Sequence, residues 1–175
     1  MISFLQTNAE KEIRKWLNQH FPVLWRYCLI LTGSKTSAND LAQSTSLKSL
    51  EKHKQFKAGS DVDKWLFKIA KNIWLNELRS QAVRRGTGLH NVDEIELTNG
   101  TSTSESVLEA NLLINNIMQL PEAQRIAVGL VYVEGFSYRE AADLLDIPIG
   151  TVMSRLSIAR AKLSNRRDAS KVRML

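Results

Sequence analysis

The chain has one cysteine in 175 residues, three prolines, three histidines and no long apolar run. A lone Cys28 excludes a disulfide framework and points to an intracellular setting. Placed between Tyr27 and Leu29, it reads as a buried filler, with a reactive thiol as the alternative. His20, His53 and His90 stand apart, with no Cys or His at ligand spacing, so no metal is expected. The first residues form no apolar leader, and the longest strongly apolar run, near Cys28 to Leu31, is too short to cross a bilayer. Cytoplasmic localisation without membrane insertion is therefore expected. No nucleophile, base or metal set is clustered anywhere, which argues against an enzyme and against any cofactor. No strand pattern and no repeat is found.

What is present is helical periodicity and positive charge. Apolar residues make up 43% and charged residues 24%, and the net charge is +6. The charge is unevenly placed. Residues 1–85 hold 15 Lys/Arg against 7 Asp/Glu, 86–110 hold no cation against 5 acids, and 111–175 hold 9 against 6. Two basic blocks around an acidic strip suit a polyanion partner, although a basic protein can also be merely soluble and non-specific.

The densest motif is Phe136 to Lys162. Ser137 and Glu140 predict a capping box, and Tyr138, Ala141, Ala142 and Leu145 recur at i, i+3, i+4, i+7. Asp146-Ile147-Pro148 breaks that helix, because Pro148 has no amide donor and restricts Ile147. A second helix from about Gly150 buries Val152, Leu156, Ala159 and Leu163. Its opposite arc carries Ser154, Ser157 and Ile158, flanked by Thr151, Arg155 and Lys162 on one side and Met153 and Arg160 on the other. Small hydroxyls edged by cations fit a recognition helix in a major groove. The alternative is an αα-hairpin with a solvated basic face. Beyond it, Arg166, Arg167, Lys171 and Arg173 face the single acid Asp168.

Upstream, residues 8–32 predict two helical pieces interrupted near Pro22, burying Ile13, Trp16, Leu17, Leu24, Tyr27 and Leu31, and ended by Thr32-Gly33. Ser37 and Asp40 predict a second capping box, opening a helix over about Ala38 to Lys54. Residues 55–64 read as a loop. The next helix, about Val62 to Arg84, has Leu66, Ile69, Ala70 and Ile73 on one face and Lys64, Lys68, Lys71 and Arg79 on another, with Asn72 at its edge. Phe67 and Trp74 occupy a third face. Aromatics beside cations and amides suit a single nucleic-acid strand, whose bases stack while cations follow its phosphates. Trp65, Phe67 and Trp74 can equally be core. Residues 86–104 lose periodicity and read as a flexible linker. Helices resume over Val107 to Met118 and over Glu122 to Val133, with Pro121 at a first turn and Glu134-Gly135 as the stop. The expected fold is all-α: two small helical domains, each of roughly 65 to 85 residues and marginal alone, the C-terminal one with a helix-turn-helix.

With these residues in view, Leu120 to Leu163 resembles region 4 of the bacterial extracytoplasmic-function (ECF) sigma factors. Asp40-Leu41-Ala42-Gln43 with Trp65 to Arg79 resembles their region 2, and the two unlike motifs stand in family order. The resemblance implies an initiation factor that binds RNA polymerase core through its largest and second-largest subunits, selects a class of promoters and helps to open the duplex. It implies domains at 1–85 (region 2), 86–104 (linker) and 105–175 (region 4). Thr151, Ser154, Arg155, Ser157, Ile158, Arg160 and Lys162 would meet the minus-thirty-five duplex. Phe56, Lys64, Lys68, Lys71, Asn72, Trp74, Asn76 and Arg79 would meet the separated minus-ten strand, where a pocket recovers the few kcal/mol of unstacking without nucleotide hydrolysis. Asp40, Leu41 and Gln43 would dock on the polymerase clamp. An anti-sigma factor and a stress response are further implications.

The chain departs from the family at several places. Family members often carry Arg where Met153 stands, larger or charged residues at Ser157 and Ile158, an acid at Ser44 and an aromatic at Ser46. Fewer bidentate contacts to guanine are then available. Two other readings stay open: an operator-binding regulator that never docks on polymerase, and a sigma-like decoy that sequesters an inhibitor.

Overall fold

The computed structural model describes residues 8–85 and 114–172, the side chains of Ala82, Arg84, Arg85 and 165–172 excepted. Among the described residues all regular structure is helical. The chain divides into two compact units at residues 92 and 93. The segment expected as a linker, 86–104, lies outside the described residues, as do the start of the helix expected from Val107 and the side chains of Arg166, Arg167, Lys171 and Arg173.

The N-terminal unit is three mutually packed helices, α1 (Asn8–Thr32), α2 (Lys35–Glu51) and α3 (Val62–Arg85), with a short 3₁₀ turn at His53–Gln55. Helix α1 is two helical pieces joined at a kink at His20 (φ −124°, ψ 15°), two residues ahead of Pro22, in line with the interruption expected there. The missing amide and the bulk of the ring disturb the turn N-terminal to a proline, so the distortion falls upstream. Ile13, Leu24, Tyr27 and Leu31 are buried as expected, whereas Trp16 and Leu17 are half-buried. Cys28 is fully buried, and that burial pushes its thiol up to about 12. It is the filler, not a nucleophile.

Gly33 adopts the left-handed region (φ 73°) and donates to the Leu29 carbonyl at 2.8 Å, closing α1 as Thr32-Gly33 suggested. The expected cap of α2 is corrected here. Ser34, not Ser37, is the N-cap: its backbone is extended and its Oγ accepts from the Ser37 N–H at 3.4 Å. Gly33 reverses the chain so tightly that the helix begins at once, and Ser37 is already inside it. Trp25 Nε1 donates to Asn39 Oδ1 at 2.6 Å, tying α1 to α2. Tyr27 of α1 stacks on Phe67 of α3, with ring centroids 4.1 Å apart and planes 11° from parallel.

The C-terminal unit contains a helical turn at 114–118, then α4 (Glu122–Val128) running into a π-helical segment, Gly129–Val133. In that segment Glu134 N–H reaches back to the Gly129 carbonyl at 2.9 Å, five residues away. Helices α5 (Tyr138–Leu145) and α6 (Ile149–Val172) follow. The Ser137–Glu140 capping box forms in full: the Glu140 N–H donates to Ser137 Oγ at 3.2 Å, and Glu140 Oε2 accepts from the Ser137 N–H at 2.9 Å. Leu144 is buried beside Ala141 and Ala142, while Leu145 and Tyr138 are half-buried. The apolar arc is wider than the spacing suggested because α5 packs against both α6 and the π-helical segment.

Candidate nucleic-acid interface

The turn between α5 and α6 is built from two local devices. Asp146 takes a left-handed conformation (φ 58°, ψ 48°) and its N–H caps the Ala142 carbonyl, which ends α5. A short polar side chain tolerates this region better than a branched one does. Pro148 then supplies its carbonyl to the Thr151 N–H at 2.9 Å and to the Val152 N–H at 3.4 Å, which starts α6. Lacking a donor, Pro148 leaves no orphan amide at that end.

Helix α6 is divided as its sequence requires. Val152, Leu156 and Ala159 have no exposure and Leu163 is half-buried. On the far side Ser154, Ser157, Arg160 and Lys162 are exposed, Ile158 and Met153 are about half-exposed apolar groups, and Thr151 and Arg155 sit half-buried at its edge. All seven residues expected at duplex DNA are thus on or bordering one accessible face. Beside Arg160, the hydroxyl of Tyr132 bonds with Tyr138. That bond, then burial, holds the Tyr132 phenol above its ordinary range, while the Arg160 charge acts in the opposite sense. Tyr132 was not singled out from sequence; an exposed aromatic just before the Glu134-Gly135 stop is the only signal it gave.

In the N-terminal unit, Lys68, Asn72, Asn76 and Arg79 of α3 form one exposed strip, and Arg79 donates to Asn76 Oδ1 at 3.4 Å. Lys71 and Trp74 flank the strip half-buried. Lys64 is half-buried and salt-bridged to Asp61. Of the aromatic readings, one left open is decided and one needs correction. Phe67 is 1% exposed and stacked on Tyr27, so it is core. Phe56, expected to meet a base, is 5% exposed with its ring 5.2 Å from that of Trp65, and it anchors the loop ahead of α3 instead of facing outward. That loop is also pinned from α1, because Glu12 Oε2 accepts from the Gly59 N–H at 3.0 Å. Gly59 needs its left-handed φ of 82° there.

On α2, Asp40 and Gln43 are exposed, but Leu41 is 5% exposed and packs into its own bundle. A residue between two outward positions of a helix turns inward, so Leu41 positions this face without forming it. Asp40, Gln43, Ser44 and Leu47 lie at i, i+3, i+4 and i+7, and Leu47, which sequence reasoning passed over, is the most exposed apolar member at 62%. Among the described residues no group of three potential metal ligands exists, and no helix is long and apolar enough to cross a membrane.

A three-helix unit with a Lys/Asn strip followed by a helix-turn-helix unit matches known families in both halves. Residues 16–84 match Sigma-70 region 2 and residues 111–163 match Sigma-70, region 4, the two regions of a promoter-specificity subunit of bacterial RNA polymerase. Over 151 residues the chain is 34% identical to the ECF RNA polymerase sigma factor EcfG of Rhodopseudomonas palustris, covering 82% of this chain and 78% of that protein. It is 30% identical over 148 residues to the ECF RNA polymerase sigma factor SigL of Mycobacterium tuberculosis, covering 84% of each. In three dimensions it resembles the sigma factor RpoE of Bartonella quintana, solved with the anti-sigma factor NepR, with TM-score 0.69 and 28% identity over 89% of this chain and 96% of that one. The chain belongs to the ECF sigma factors of RNA polymerase, and its function is promoter-specific initiation of transcription.

Proposed function

We propose that the work is divided between residues 1–85, as region 2, and 105–175, as region 4, with 86–104 joining them. The α2 face of Asp40, Gln43 and Leu47 docks on core polymerase. The α3 strip of Lys68, Asn72, Asn76 and Arg79, with Lys64, Lys71 and Trp74 beside it, holds the separated minus-ten strand, its cations following phosphates and Trp74 offering a ring to a base. The α6 face of Thr151, Ser154, Arg155, Ser157 and Ile158 reads the minus-thirty-five element, with Arg160 and Lys162 on its phosphates.

The observation that carries this reading is the burial pattern of α6. Val152, Leu156 and Ala159 of the apolar arc that a hairpin needs are fully buried, which leaves the opposite face free for the groove. The chain acts in the cytoplasm, as a binding subunit with no chemistry of its own, and an anti-sigma factor holds it inactive until a stress releases it. The anti-sigma reading is supported by the 28% identical RpoE fold, which was solved with such a partner.

Run-off transcription with purified core on genomic fragments tests the proposal. The chain should give discrete start sites, and Arg155→Ala combined with Ser154→Ala should blur the choice of start site while leaving binding to core intact. Transcription that never depends on the added chain would favour a decoy.

A further inference from the structure

The groove-facing side of α6 has an unusual chemistry for a DNA reader. Its centre, at 100° per residue, is made of Gly150, Ser154, Ser157 and Ala161, all exposed and none larger than serine. Nothing lies within 4 Å of where a Cβ on Gly150 would stand. Met153 borders this strip on one side and Ile158 on the other, with 51% and 47% of their surface exposed. Neither side chain has a hydrogen-bonding group able to read a guanine or adenine edge. The cations, Arg155, Arg160 and Lys162, stand farther out, at the phosphate margins.

We infer that Met153 and Ile158 are specificity-determining residues, each selecting a thymine through its C5-methyl group. The inference rests on the proposed function, since it assigns base preference to the face given there to the minus-thirty-five element. In the major groove every base edge carries polar atoms that stay hydrated until a partner replaces the water, and only thymine adds an apolar methyl group beside them. A Met or Ile placed against O6 and N7 of guanine strips that water and returns nothing, whereas against a methyl it buries apolar surface. The small residues between them let the backbone come close enough for such short-range contact. The two are five positions apart, about 7.5 Å along the axis at 1.5 Å per residue, or roughly two base-pair steps of 3.4 Å. Because they border the strip on opposite sides, they address opposite strands. The element therefore carries two thymines, one per strand, about two base pairs apart.

The test uses holoenzyme, formed from the full chain and core polymerase, on a template library randomised over the upstream element. Transcribed templates should be enriched for the two thymines in that arrangement. In the best template, replacing either thymine by deoxyuridine, which removes only the methyl, should weaken promoter binding about fourfold. Met153→Ala should abolish the penalty at one position and leave the other, with Ile158→Ala doing the reverse. Met153→Arg should shift its position towards guanine. An enriched element with no such thymines, or thymines that tolerate deoxyuridine without loss, overturns the inference while leaving the proposed function standing. A library from which the holoenzyme selects nothing removes both.

Discussion

At the scale of single residues, the ring of Phe67 shows how burial decides a role that composition leaves open. It lies on the same side of α3 as Trp74, yet one ring is sealed against Tyr27 and the other is half-open. Phe67→Ala should cost about 3–5 kcal/mol of stability, the usual loss for a buried aromatic; in a small bundle that is most of what is available. Chemical denaturation should show a large drop in midpoint for Phe67→Ala and a small one for Trp74→Ala. Equal drops would make Trp74 core as well. Cys28 gives a second expectation. Its folded thiol titrates near 12, and an unfolded one near 8.5. Below pH ~8.5 both states keep the proton and the stability is complete; from there towards pH 12 only the unfolded state ionises, so stability falls as pH rises. The stability difference between the native chain and Cys28→Ala should shift in that direction between pH 8 and pH 10.5. A difference independent of pH would contradict the burial of the thiol.

At the scale of elements, the helix ends carry the argument. Ser137→Ala removes the hydroxyl that accepts from the Glu140 N–H and should cost about 1 kcal/mol. Asp146→Gly should be tolerated, whereas Asp146→Val should cost more than Ser137→Ala, because a branched side chain is strained at φ 58°. Thermal unfolding would rank the three, and a harmless valine would mean that the turn relaxes. These ends also show what was legible in the sequence. The Ser137–Glu140 pair, the break at Pro148 and the buried arc of α6 are local patterns, and they could be read from spacing. Ser34 as the cap of α2 could not, because two serines compete within four residues and the position of the left-handed Gly33 decides between them. The left-handed Asp146 and the π-helical turn at Gly129–Val133 depend on how α4, α5 and α6 pack, which one-dimensional periodicity does not encode. For the site, exposed positions on a regular helix were found by their angle. Phe56 and Leu41 were misplaced because their burial comes from contacts distant in sequence or from the inward turn of Leu41 and Ala42 between the outward Asp40 and Gln43.

At the scale of the whole molecule, the proposed strand capture by α3 would open DNA by binding energy alone. Unstacking a base costs a few kcal/mol, and a pocket or stacking platform has to return it. If α3 is that platform, weakening it should raise the cost of opening without touching the affinity of α6 for closed duplex. Asn72→Ala and Trp74→Ala should therefore lower initiation on a fully paired promoter, leave binding to the upstream duplex within about twofold, and recover on a template already unpaired across the minus-ten element, where the unstacking cost has been removed beforehand. Phe67→Ala serves as the contrast, because a bundle that loses its packing loses initiation on either template. Salt provides an independent readout: removing Lys68 should reduce the dependence of strand binding on salt by about one counterion, whereas Asn72→Ala should leave that slope unchanged. If Asn72→Ala and Trp74→Ala stay defective on the unpaired template, the α3 strip serves some step other than strand capture, and the division of labour between the two helical units has to be redrawn.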